Sequence, residues 1–218
     1  MNRRPPPPPP SRSSTPLMLA LVVGVVAALA LVAVLVTSGG DDDDGATEAA
    51  GESMAGALAP YDPAAVDSAV GRPAPALSGA NYAGDPVTVT PGTDGPLMLV
   101  FLAHWCAHCN REIPVLNQWR DAGGVPDELR VVGISTAVSA DRANYPPGEW
   151  LVDMDWQWDV IADEPAPSDD EAPPAMAAYG VTGFPFFVLI DAEGNVTARG
   201  YGEYPIEALE QLAAATVG

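Results

Sequence analysis

Cys106 and Cys109 are the only cysteines of the chain, and they stand three residues apart in the run Trp105-Cys106-Ala107-His108-Cys109. An apolar stretch over residues 97–102 leads into them, and a helical pattern over 106–119 follows. A strand that ends in Trp-Cys-x-x-Cys and runs on into a helix is the layout of a thiol–disulfide exchange site. In the first helical turn Cys106 meets unpaired backbone N–H groups and the positive end of the macrodipole, which stabilise a thiolate and make it the attacking group. Cys109 falls on the same helical face, near enough to close a short disulfide and to resolve a mixed one.

Other chemistries compete for these residues. A purely structural disulfide at this spacing closes almost no loop and so stabilises little. The chain's two histidines, His104 and His108, both lie within the motif, and two thiolates with imidazole suit zinc or copper in a metal chaperone or thiol-based metal-binding module. No second cysteine pair completes a structural metal site, so the expected metal content is none. Haem attachment needs His directly after the second cysteine, where Asn110 stands. A peroxiredoxin-like peroxidase places Thr three residues before its reactive cysteine; here that residue is Ala103.

The elements that carry the motif to its compartment come first in the chain. Residues 17–36 form an uninterrupted apolar run without charge, long enough for one bilayer-spanning helix. Arg3, Arg4 and Arg12 precede it and Asp41 to Asp44 follow it, which orients the N-terminus to the cytoplasm. The run is longer than the apolar region of a cleaved signal peptide and ends without a small-x-small site, so an uncleaved anchor is expected. Residues 1–16 then form a cytoplasmic Arg/Pro-rich tail, with Pro5 to Pro10 an exposed polyproline spacer. All 29 acidic residues lie beyond residue 40 against six arginines, which excludes nucleic acid as a partner. Residues 37–69, rich in Asp, Gly, Ala and Glu, read as an acidic flexible linker.

Residues 70–218 are the size of one domain with its own core. Strands are expected over 86–90, 97–102, 129–135, 158–162, 186–191 and 196–201, and helices over 106–119, 147–153, 174–179 and 206–216. This alternation makes an α/β sandwich with a mixed sheet. Residues 163–174, with five acidic side chains among four prolines, read as a solvated acidic loop. Trp150, Trp156 and Trp158 with Met154 read as core. Glu112 reads as a surface residue of the first helical turn, favoured there by the dipole.

Three segments in order, Gly71-Arg72-Pro73-Ala74-Pro75, residues 97–109 with Glu112 and Pro114, and residues 179–195 around Phe184-Pro185, resemble the TlpA/ResA branch of membrane-anchored thioredoxin-like proteins. The resemblance implies a thioredoxin-like fold, a mixed central sheet flanked by helices, with a TlpA-type insertion over about 140–178. It implies that Cys106 attacks, Cys109 resolves, Trp105 is the aromatic before the pair, and cis-Pro185 leaves the Phe184 backbone free to dock a substrate strand; the redox-tuning role of His108, beside Trp105, is read from local chemistry instead. The implied activity is thiol–disulfide exchange on exported protein thiols or disulfides outside the cytoplasm, with no cofactor beyond the cysteine pair. An apocytochrome c, unfolded secreted proteins and a membrane redox relay all remain open as partners, and so does the direction of electron flow. The buried Asp of thioredoxin has no counterpart here, since Val100 occupies that position. His108 stands where thioredoxin has Pro and the oxidant DsbA has His, which favours an oxidising pair.

Overall fold

The computed structural model describes residues 56–218. Seven strands form one sheet, in chain order β1 (Leu77–Ala80), β2 (Pro86–Val89), β3 (Leu97–Leu102), β4 (Arg130–Ser135), β5 (Asp159–Ala162), β6 (Phe186–Ile190) and β7 (Val196–Tyr201). Their spatial order is β2-β1-β5-β4-β3-β6-β7. β3, β4 and β5 run parallel, while β6 and β7 add antiparallel strands on one side and β1 and β2 on the other. The sheet is mixed, as the alternation of elements implies.

The four helices are α1 (Ala107–Asp121), α2 (Pro147–Asp153), α3 (Pro174–Ala178) and α4 (Ile206–Val217). β3 shows why both faces must be covered. All six of its residues are apolar and fully buried, and successive side chains point to opposite faces. Met98, Val100 and Leu102 pack with Ile113, Leu116 and Trp119 of α1, Leu209 and Ala213 of α4, and Trp150 and Leu151 of α2. Leu97, Leu99 and Phe101 pack on the other face with Ala175 of α3, Tyr179, and Leu58 from the start of the described chain.

Most expected elements stand within a residue or two of their predicted limits, and β1 is the strand the sequence did not announce. Its residues, Leu-Ser-Gly-Ala, are small and mostly exposed, without the apolar alternation that marks a strand. It is held instead by its hairpin with β2, where the Asn81 side chain accepts from the amides of Ala83 and Asp85.

The linker assignment requires correction over its second half. Leu58 and Ala69 are buried, and the amides of Leu58 and Tyr61 donate to the carbonyls of Ala178 and Gly180 at 2.8 and 2.9 Å. Gly180 has φ +60°, and a Cβ there would collide with the Ala59 carbonyl, so this close approach demands glycine. Asp67 pairs with Arg199 of β7 at 2.5 Å, and Arg199 also donates to the carbonyls of Ala59 and Tyr179. Residues 57–69 therefore form a strap on the domain. What makes it so is a buried arginine far away in sequence that gives the acidic residue a partner.

The anticipated span at 17–36 and the tail before it lie outside the described residues. Among the described residues no helix is long and apolar enough to cross a membrane. The acidic loop is mostly exposed, but its first residue is structural: Asp163 accepts from the Thr136 hydroxyl and from the amides of Ala175 and Met176 at the start of α3.

Candidate active site

β3 ends at Leu102, and the chain turns through Ala103 to Trp105 before α1 begins. Cys106 is the N-cap of α1 rather than a residue of its first turn, with extended backbone and no side-chain cap. The amides at the head of the helix thus stay directed at the site. The Asn110 side chain reinforces this turn by donating to the Cys106 carbonyl at 2.9 Å. Cys106 keeps slight exposure, 7%, while Cys109 has none. Both are free thiols. Burial pushes the Cys109 thiol far above the usual range, against a hydrogen bond from the Ala103 backbone, and the adjacent Cys106 sulfur adds to the rise.

Phe184-Pro185 is a cis peptide bond, as the resemblance implies. The Cys106 thiol donates to the Phe184 carbonyl at 3.5 Å, so the structure brings the attacking sulfur and the expected docking backbone together. Trp105 lies edge-on to Phe184, with ring centroids 5.9 Å apart, and its indole N–H donates to the Ala137 carbonyl.

His108 is on the exposed side of α1, and a carboxylate takes its imidazole. Nδ1 is 2.6 Å from Glu203 Oε1 and 2.8 Å from Arg111 Nη2, and Arg111 itself donates to Glu203. Nδ1 carries at most one hydrogen, so it donates to Glu203 or accepts from Arg111, not both. The Glu203 carboxyl is held down at about 2, first by Arg111 and then by His108. The sequence signalled the imidazole but not its partners: Glu203 arrives from the loop after β7, and Arg111 from the next turn of α1.

Glu112 corrects the reading of a surface residue. It is 1% exposed, and both carboxylate oxygens accept from the Tyr204 amide at 3.1–3.2 Å. Burial raises it to about 7, with the Tyr204 amide working against that rise and the Glu203 charge adding to it. One helical turn from Cys109 on the same face, it supplies the ionisable group that Val100 cannot.

His104 is fully buried, and both ring nitrogens are engaged with backbone. Nδ1 lies 2.6 Å from the Ala143 carbonyl and Nε2 accepts from the Ser139 amide at 3.2 Å, which fixes a neutral ring with its hydrogen on Nδ1. This removes His104 from the donor set of the metal alternative. The ring instead pins residues 137–145 beside the cysteines, helped by Asn144, which donates to the His104 carbonyl. Asn110 joins the same array by accepting from the Trp150 indole N–H. Nothing in the sequence marked Asn110 or Asn144 as part of the site. Trp150 is core as expected, while Trp156 covers Gly133 of β4 and meets Trp158 edge-on at 4.9 Å.

Solved structures place this geometry among known folds. A thiol:disulfide interchange protein of the thioredoxin family from Chlorobium tepidum is 22% identical with a TM-score of 0.54, covering 67% of this chain and 96% of its own. A second Chlorobium tepidum structure, assigned as a thiol:disulfide interchange protein DsbE, is 27% identical with a TM-score of 0.53, covering 68% and 98%. A secreted Mycobacterium tuberculosis disulfide oxidoreductase homologous to Escherichia coli DsbE is 22% identical with a TM-score of 0.50, covering 64% and 95%. No curated protein sequence matches the chain. The family model of the thioredoxin-like domain matches residues 86–216, more than half of the sequence and all of the site just described, and the chain belongs to that family.

Proposed function

We propose that this protein is a membrane-anchored thiol–disulfide oxidoreductase of the TlpA/ResA type, with residues 17–36 as its span and its thioredoxin-like domain outside the cytoplasm. Exported protein thiols and disulfides are its substrates. The observation that carries the reading is the Cys106 sulfur, at the head of α1 and 3.5 Å from the Phe184 carbonyl, with the buried Cys109 thiol one turn behind it.

In the reducing direction the Cys106 thiolate attacks a substrate disulfide, forms a mixed disulfide and releases one substrate sulfur. Cys109 then attacks the Cys106 sulfur and releases the second, so two electrons pass from the cysteine pair to the substrate. Its thiol is held protonated by burial, and the Glu112 carboxylate is the base positioned to take that proton. The oxidising direction is the reverse.

The full-length chain carrying Cys109→Ala is expected to accumulate mixed disulfides with exported proteins that dissolve on reduction, and Cys106→Ala/Cys109→Ala is expected to form none. Absence of adducts in the first, or equal adducts in both, overturns the exchange reading. Protease applied outside intact membranes is expected to remove the cysteine domain and spare the arginine tail; recovery of the domain in the cytoplasmic fraction overturns the topology.

A further inference from the structure

Arg142 stands out on a strongly acidic domain. Among the described residues, Arg111, Arg120, Arg130 and Arg199 all engage carboxylates. Among the described residues Arg142 and Arg72 make no ion pair or side-chain hydrogen bond, and it is Arg142 that lies over a residue of the site. Its Cζ lies over the Trp105 ring, 3.9 Å from the centroid. Arg142 is exposed, and a guanidinium held against an aromatic ring can take a carboxylate through two parallel hydrogen bonds.

The loop beneath it is built to hold that position. The buried His104 ring grips Ser139 and Ala143 on either side of Arg142, Asn144 returns to the His104 carbonyl, and the Trp105 indole is fixed by Ala137. Trp105 thus contacts both Phe184, ring edge to ring face, and Arg142, whose Cζ lies over the indole. Trp105 precedes Cys106, whose sulfur is 3.5 Å from the Phe184 carbonyl, so a substrate strand docked on that backbone, at about 3.3 Å per extended residue, would carry side chains near its reactive cysteine past the neighbourhood of Arg142.

We propose that Arg142 is a specificity-determining residue that recognises an acidic side chain two or three residues from the reactive cysteine of the substrate. The net field of the domain favours basic partners, so this local cation selects against the surrounding charge. The proposal rests on the exchange reading, and the test separates the two.

The probes are symmetric disulfides of a single-cysteine peptide bearing Glu, Gln or Lys two residues from the cysteine. The reduced full-length chain attacks one peptide sulfur with Cys106 and releases one peptide thiol. Cys109 then releases the other, so the peptide disulfide gains the two electrons and two protons that the cysteine pair gives up. The Gln peptide reports exchange alone, and its failure to react defeats the exchange reading itself. The Glu-to-Gln ratio of kcat/KM in wild type is expected to exceed that in Arg142→Gln by about fivefold, the upper range for an exposed ion pair. The difference should lie in KM and vanish at high salt. Arg142→Lys should retain part of the preference, and Arg142→Glu should move it to the Lys peptide. Ratios unchanged by Arg142→Gln overturn the proposal. So does a variant that slows all three peptides alike, because Arg142 then serves only to cover Trp105.

Discussion

At pH 8 the Glu112→Gln variant is expected to melt about 6–12 °C above wild type, and at pH 4 to melt with it. Glu112 is buried and raised to about 7 from an ordinary 4.5. A carboxyl whose folded pKa stands above its unfolded one favours the native state only while protonated. Its contribution is complete below about pH 4.5 and is lost as pH rises through about 7. The difference corresponds to about 3 kcal/mol above that window. Gln keeps an oxygen for the Tyr204 amide and never ionises, so the loss disappears. The variant should also resolve mixed disulfides more slowly, on the order of 10²-fold, because the base for the Cys109 proton is gone. Melting curves across pH 4–9 and single-turnover thiol release check both. An equal shift in melting at all pH values removes the titration argument, and undiminished resolution removes Glu112 from proton transfer.

Arg199→Met is expected to destabilise the domain by about 3–5 kcal/mol, a large part of a typical folding free energy. The Arg199 side chain is wholly buried, and its loss leaves the Asp67 carboxylate and the carbonyls of Ala59 and Tyr179 without their donor. Arg199 also holds Asp67 below the usual carboxylate range. That share of stability is present above about 3.8 and is lost as pH falls below it, a dependence the variant should lack. Asp67→Asn/Arg199→Met should recover part of the loss, since no charge is left unpaired. Denaturant titration reads the change, and limited proteolysis should cut first within 57–69. A variant as stable and as protease-resistant as wild type shows that the strap does not depend on this pair.

The central strands and the redox pair were legible because their signals are local. β3 is a continuous apolar run, and the cysteines carry their chemistry in their spacing. What the sequence concealed depends on partners far along the chain. Glu112 looks like a first-turn surface residue until the amide of Tyr204, 92 positions later, closes over it. Asp67 looks like part of a solvated linker until Arg199 arrives from β7. His108 promised a tuning imidazole for Cys106, and Glu203, 95 positions later in the chain, takes that imidazole together with Arg111. In each case one ionisable side chain has a meaning set by a counter-group that no short pattern records.

The loop over 137–145 is fastened to the site by main-chain groups: His104 reads the Ser139 amide and the Ala143 carbonyl, and Trp105 reads the Ala137 carbonyl. Backbone groups are the same whatever residue bears them. The exposed side chains of Val138 and Arg142 make none of these bonds and can therefore change without breaking them, whereas Tyr145 packs edge-on against His104. Natural variation can rewrite this surface while Cys106 and Cys109 stay fixed, giving the lineage a replaceable cassette next to a constant reaction centre. Divergence among homologues should concentrate at Val138 and Arg142, with His104 and Trp105 held constant.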